Sequence, residues 1–178
     1  MFELMCHPDT PADSISAINV RIIADDPHWI GLRWRVEGSA NVVLPPLAGR
    51  RRRDNLWQTT CFEIFLRQED SRSYCEFNLS PSESWAAYDF EDYRAARHDR
   101  VMARPPKSIA RWGSNALIFD AYLPRAGLPQ LPCKMAISAV IEEAGGQKSY
   151  WAIAHPAGAP DFHDPACFAA TLEAPDTP

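Results

Sequence analysis

Glu63, Tyr74, Glu76 and Asn78 are the residues whose types and spacing could do chemistry. In 59–66, Phe62, Ile64 and Leu66 alternate with Cys61, Glu63 and Phe65. In 74–80, Cys75, Phe77 and Leu79 alternate with Tyr74, Glu76, Asn78 and Ser80. If the apolar sets face a core, the two carboxyls, the amide and the phenol share the opposite face of two strands. Side chains on adjacent antiparallel strands approach within about 5 Å. Such a face suits a polyhydroxylated ligand. Planar polar groups pair with neighbouring hydroxyls, and an aromatic ring covers the apolar side of a sugar. Trp57 and Trp85 lie just outside the two strands and are the candidate rim. Arg53, in the basic run 50–53, is the candidate for an anionic group of the ligand. A solvated sheet face with structural hydrogen bonds is the competing reading. Glu63 and Glu76 could also form the acid–base pair of a glycoside-processing enzyme.

Other constellations are weaker. His155, Asp161, His163 and Asp164 offer nitrogen and oxygen donors, but prolines break the segment and no metal-ligand spacing is present. Loop hydrogen bonding is the expected role, and no metal is expected. His98 and Met102 could be axial haem ligands. Without a CxxCH sequence, any haem would be held non-covalently. The chain has no GxGxxG, Walker loop, GxSxG, HExxH or CxxC motif. A binding protein rather than an enzyme is the expectation.

The elements that must position these residues read as strands. Ile18, Val20 and Ile22, then Ile30, Leu32, Trp34 and Val36, alternate on either side of Asp25-Asp26-Pro27, a hairpin turn. A short strand at 41–44 ends at Pro45-Pro46. Further strands are expected at 59–66, 74–80, 85–90, 116–123, 134–142, 149–154 and 167–172, with one or two helical turns at 91–98. Ala144-Gly145-Gly146-Gln147 is a second hairpin turn. Trp29, Trp34, Trp112 and Trp151 are expected to be structural. Sixteen prolines spread along the chain leave little room for long helices. The pattern predicts an all-β fold: an antiparallel β-sandwich, immunoglobulin- or jelly-roll-like, of about 10–11 strands in two sheets.

The 178 residues are enough for one domain, expected over 1–178, with a core of its own. A net charge of −5 argues against a nucleic-acid or anionic-membrane partner. Apolar residues at 46% and charged residues at 23% exclude disordered, collagenous and coiled-coil classes. Five cysteines without CxxC spacing, and no export signal or transmembrane run, predict reduced thiols and a cytoplasmic location.

The stretch Leu56-Trp57-Gln58-Thr59-Thr60-Cys61-Phe62-Glu63-Ile64-Phe65-Leu66 resembles a strand of DOMON-like domains and of family 9 carbohydrate-binding modules. Tyr74-Cys75-Glu76-Phe77-Asn78-Leu79-Ser80-Pro81-Ser82 resembles the strand that follows it in them. Trp85-Ala86-Ala87-Tyr88-Asp89-Phe90 and Pro160-Asp161-Phe162-His163 are similar to a bacterial subgroup of small, free-standing DOMON-like proteins. The resemblance covers 56–94 and a C-terminal loop. It implies a β-sandwich of ten or eleven strands that binds sugars or haem without transforming them. Thr60 stands where many sugar-binding relatives carry an acidic residue that orders the site or a calcium ion, which weakens the case for calcium. The expectation is therefore a non-catalytic module for a carbohydrate or sugar-like small molecule, needing no cofactor. Its site is an open sheet-face groove of weak to moderate affinity, formed by Trp57, Glu63, Tyr74, Glu76, Asn78, Trp85 and Arg53. Non-covalent haem binding and glycoside processing are the alternatives.

Overall fold

Period-2 alternation becomes twelve strands in a computed structural model that describes residues 1–175. The expected domain runs to 178, so residues 176–178 lie outside the described residues. One layer is built from β2 (Ala17–Asp25), β3 (Trp29–Glu37), β8 (Lys107–Trp112) and β9 (Ala116–Pro124), in the order β2-β3-β9-β8. The other layer contains β4 (Cys61–Arg67), β5 (Tyr74–Leu79), β6 (Trp85–Phe90), β7 (His98–Asp99), β10 (Cys133–Glu142) and β11 (Lys148–Ala152). Its order is β7-β6-β5-β4-β10-β11, with β12 (Ala170–Leu172) pairing with β10 beyond the end of β11. β1 (Phe2–Cys6) belongs to both layers. Its first half pairs with β2, and Met5 and Cys6 pair with Ala152 and Trp151 of β11. Every strand ladder is antiparallel.

The two layers close on each other through aromatic rings. Phe62 of β4 stacks on Phe119 of β9 with centroids 4.2 Å apart, and Trp34 of β3 lies 5.6 Å from Phe62. Ile64, Leu66, Cys75, Phe77 and Leu79 share this buried core, as the alternation predicts. Cys61 lies in a separate cluster on the other face, so Cys61 and Cys75 point to opposite sides of one layer. All five cysteines are free thiols.

Three local expectations are corrected. Residues 41–44 are not a strand. Ser39–Asn41 is a 3-10 turn, and Val42 makes a single bridge to Glu143. The prolines that follow cannot donate to a ladder. Residues 91–98 contain no helical turn, because Arg94 and Ala96 sit at φ near +51° and Asp92 bridges back to Ala95. Non-glycine residues at positive φ interrupt a right-handed helix. β1, β7 and β8 are additional strands. β8 evades periodicity because its inward residues are Ser108 and Ala110, while Ile109 points outward and Trp112, at the end of the strand, lies largely in solvent. Trp112 is thus not a core residue but is 68% exposed on an edge strand. No helix among the described residues is long and apolar enough to cross a membrane.

Candidate functional site

The site is built on the outer face of the β4–β5 layer. Strand register places Ala86, Asn78, Glu63, Ser138 and Ala152 side by side across β6, β5, β4, β10 and β11. The next row is Tyr88, Glu76, Phe65 and Ala136. Glu63 and Glu76 are therefore diagonal neighbours on adjacent strands, within reach of one ligand. Alanines at both ends of the first row leave space above its polar centre.

This face is roofed, not open. After β11 the chain crosses it through residues 153–169 and then rejoins the layer at β12, burying Phe162, Cys167 and Phe168 with Cys61, Phe65 and Tyr74 in a second apolar cluster. The roof is tied down by polar contacts. Asp161 accepts from Arg94 Nη2 at 2.7 Å, from the His163 amide at 3.0 Å and from the Tyr93 hydroxyl. The Tyr74 hydroxyl meets His163 Nδ1 at 2.7 Å and accepts the Arg94 amide at 3.1 Å. Which of the two supplies the proton depends on the His163 tautomer. The positive φ of Arg94 lets one residue serve both contacts, its amide reaching Tyr74 and its guanidinium reaching Asp161.

Between roof and sheet lies a cavity of about 420 Å³. Glu63, Glu76 and Val140 line it from the sheet, and Phe162, His163 and Pro160 from the roof. Tyr150, Thr10, Arg94 and Trp57 complete it. Trp57, 44% exposed, is its solvent-facing aromatic wall. It stands in a 3-10 turn, Leu56–Gln58, entered through Asn55 at φ 59°. A cavity this size falls within the range of small-molecule sites, about 300–1,000 Å³. His163 separates it from a smaller cavity lined by Tyr74, Tyr93 and Phe168.

Glu63 and Glu76 are 3% and 6% exposed, yet neither bonds to a backbone amide or an arginine. Asn78 Nδ2 donates to Glu76 at 2.7 Å, and His163 Nε2 lies 3.9 Å from the same carboxylate. Asn78 Oδ1 and Ser138 Oγ are buried without partners. The Ser138 hydroxyl is outside hydrogen-bond geometry with Glu63, though close enough to favour its ionised form. Burial, reinforced by the neighbouring Glu76, lifts Glu63 well above the usual carboxyl range. Burial also lifts Glu76 to about 7, against the Asn78 hydrogen bond and the charges of Arg97 and Arg94. Burial and Arg94 lower His163 to about 4, leaving the ring neutral. Burial thus raises both carboxyls on the floor of the cavity, Glu76 to about 7.

The structure gathers some of the sequence candidates and disperses others. Glu63, Glu76 and Trp57 line the cavity, while Asn78 lies beneath Glu76 and Tyr74 behind His163. Trp85 is a correction. It pairs with Leu79 across β5–β6 and so shares its face, in the core between the layers. Arg53 is a second correction, an exposed residue whose amide bonds to the Trp85 carbonyl. In the same run, Arg52 covers the Trp85 ring at 4.6 Å and donates to the carbonyls of Ala87 and Arg100. Thr60 donates to the Val43 carbonyl at 2.6 Å and accepts the Glu142 amide.

The histidines are dispersed too. His155 Nε2 contacts the Met5 carbonyl, and Asp164 accepts the Ala166 amide. Among the described residues, no group of three or more His, Cys, Asp or Glu is arranged to hold a metal. His98 faces Asp89 at the layer edge, whereas Met102 packs against the core between the layers, so they do not form an axial pair. Sequence reasoning missed Arg94, Tyr150, Phe162 and Ser138 as site residues, and met His163 only as a metal candidate. Ser138 was the most accessible of these, since it lies on a strand whose alternation is readable.

No family model matches the sequence, and no curated protein is similar to it. Its structure is similar to that of a candidate carbohydrate-binding protein from Bacteroides uniformis. The TM-score is 0.64 at 18% identity, covering 97% of this chain and 84% of that one. It is also similar to a family 9 carbohydrate-binding module from Caldicellulosiruptor kristjanssonii in complex with glucose. There the TM-score is 0.49 at 12% identity, covering 91% and 78%. At these identities the likeness to the Bacteroides protein is one of fold.

Proposed function

We propose that the roofed cavity binds a carbohydrate or sugar-like small molecule without transforming it. The observation that carries this reading is the pair Glu63 and Glu76. They are buried in an aromatic-lined cavity, with no partner that folding would require. Carboxyls offer planar pairs of acceptors to neighbouring hydroxyls, and Trp57, Tyr150 and Phe162 offer ring faces to the C–H side of a sugar. The fold shared with the Bacteroides candidate carbohydrate-binding protein supports the reading as an analogy. Because the site is enclosed on two sides, it buries more of a small ligand than the open groove expected from sequence. A thermal-shift screen with neutral and charged sugars, nucleotide sugars and haem tests it. A sugar should raise the melting temperature, and Trp57→Ala should remove the shift. Stabilisation by haem with a Soret band, and by no sugar, would overturn it.

One observation favours a second reading. Glu63 and Glu76 share the cavity floor as diagonal neighbours, and burial raises both, Glu76 to about 7, as the proton-donating carboxyl of a glycosidase requires. Release of nitrophenol from aryl glycosides, abolished by Glu63→Gln, would establish hydrolysis in place of simple binding.

A further inference from the structure

Polar groups on the cavity floor are strongly biased towards accepting hydrogen bonds. Two carboxyls meet there, and Asn78 Oδ1 and Ser138 Oγ are buried beside them without partners. Asn78 already spends an amide proton on Glu76. The cations nearby are engaged elsewhere: Arg94 is paired with Asp161, and the Arg97 guanidinium lies 4.7 Å over the Tyr88 ring. A neutral hydroxyl has one proton to donate and no charge, so it satisfies one carboxyl oxygen and leaves the others unmatched. An ammonium group brings three donors, no acceptor and a positive charge. A metal ion would bring the charge, but among the described residues no group of three or more acidic, histidine or cysteine side chains is arranged to hold one.

We propose that the ligand of this cavity is an amino sugar, seated with its protonated amine between Glu63 and Glu76 and its ring against Trp57 and Phe162. The inference rests on the sugar-binding reading and names the class of sugar. The amine supplies a charge to match the two buried carboxyls, and its three protons are offered to the Glu63 and Glu76 oxygens that line the cavity. Ring hydroxyls then face the polar groups of the upper cavity, the Arg94 guanidinium and the His163 ring. Trp57 and Phe162 cover the ring's apolar side and add cation–π attraction.

The test is calorimetric titration of the full chain at pH 7 with three matched sets of sugars: glucosamine and galactosamine, their N-acetyl forms, and glucose and galactose. N-acetylation keeps the ring and removes the charge. One of the free amines should bind at least tenfold more tightly than its N-acetyl and hydroxyl counterparts. In the Glu63→Gln/Glu76→Gln double variant that preference should fall below threefold. Equal affinity for the neutral counterparts would overturn the amino-sugar inference and leave the sugar-binding reading standing. Binding of none of the six would overturn both.

Discussion

Replacing Glu76 by glutamine should make the ligand-free protein more stable, and only above the pH at which the carboxyl ionises. Glu76 is buried, and its folded-state pKa is about 7, against an ordinary value of 4.5. Two and a half units at 1.36 kcal/mol each is about 3 kcal/mol. The sign follows from which state holds the proton. The folded state binds it more tightly, so that advantage is fully present below about pH 4.5 and lost as pH rises through about 7. Glu63 is lifted in the same direction, by burial and by the neighbouring Glu76 charge. His163, near 4, and Tyr74, near 12, do not titrate in this window. Arg94, whose pKa is raised, stays charged throughout. Glutamine keeps an oxygen to accept from Asn78 and carries no charge to desolvate. Wild type and Glu76→Gln should thus match at pH 4.5 and separate by about 3 kcal/mol at pH 8. For a chain of this length that is a melting-temperature difference of roughly 6–12 °C. Thermal or urea denaturation across pH 4.5–8 measures it. A variant less stable than wild type at pH 8 would show that the carboxylate holds the fold together, and would remove the argument that it is kept for a ligand.

Phe77→Ala should cost about 3–5 kcal/mol in urea denaturation, because Phe77 is fully enclosed between the layers. A loss under about 1 kcal/mol would refute the β4–β5 register on which the site is built. Asp161→Asn should loosen the roof without unfolding the sandwich. The ion pair it removes is partly exposed, so global stability should fall by only about 1 kcal/mol. Hydrogen exchange across 155–168 should quicken at the same time, and affinity for any sugar identified should drop about tenfold. Unchanged exchange there would show that Asp161 does not hold the roof.

The sandwich was legible because its governing signal is local. Alternation along β3, β4, β5 and β10 assigns each side chain a face, and a one-residue slip would expose the whole apolar set. Turn chemistry supplied both hairpins. Trp85 shows where reading strand by strand stopped short. The tight turn between β5 and β6, with the Ser80 amide bonded to the Ser84 carbonyl, sets Leu79 opposite Trp85. A core Leu79 therefore implies a core Trp85. The roof had no comparable signal. Residues 153–169 carry no periodicity, and their contacts reach back to Tyr74 and Arg94 across long stretches of sequence. Which polar sheet face becomes enclosed is decided by that crossing, so four candidates on β4 and β5 were identifiable while their enclosure was not.

That enclosure is also the strongest argument that the polar row serves a ligand. The outer face of the layer is otherwise an ordinary apolar surface. Cys61 and Val140 lie on one side of the row, and Phe65, Tyr74, Tyr88 and Phe90 on the other, with Phe162 and Phe168 above. A leucine at position 63 would join these flanks into one continuous cluster. Instead the chain buries a carboxyl, an amide and a hydroxyl in the middle and leaves acceptor atoms of Asn78 and Ser138 unpartnered. Each such group costs about 1–3 kcal/mol when left unsatisfied, and charged groups cost more. A roof added for stability alone would cover the apolar flanks and exclude the polar centre. A roof that holds Arg94, His163 and Phe162 over two unpaired carboxyls encloses space that a sugar, and an amino sugar in particular, is fitted to fill.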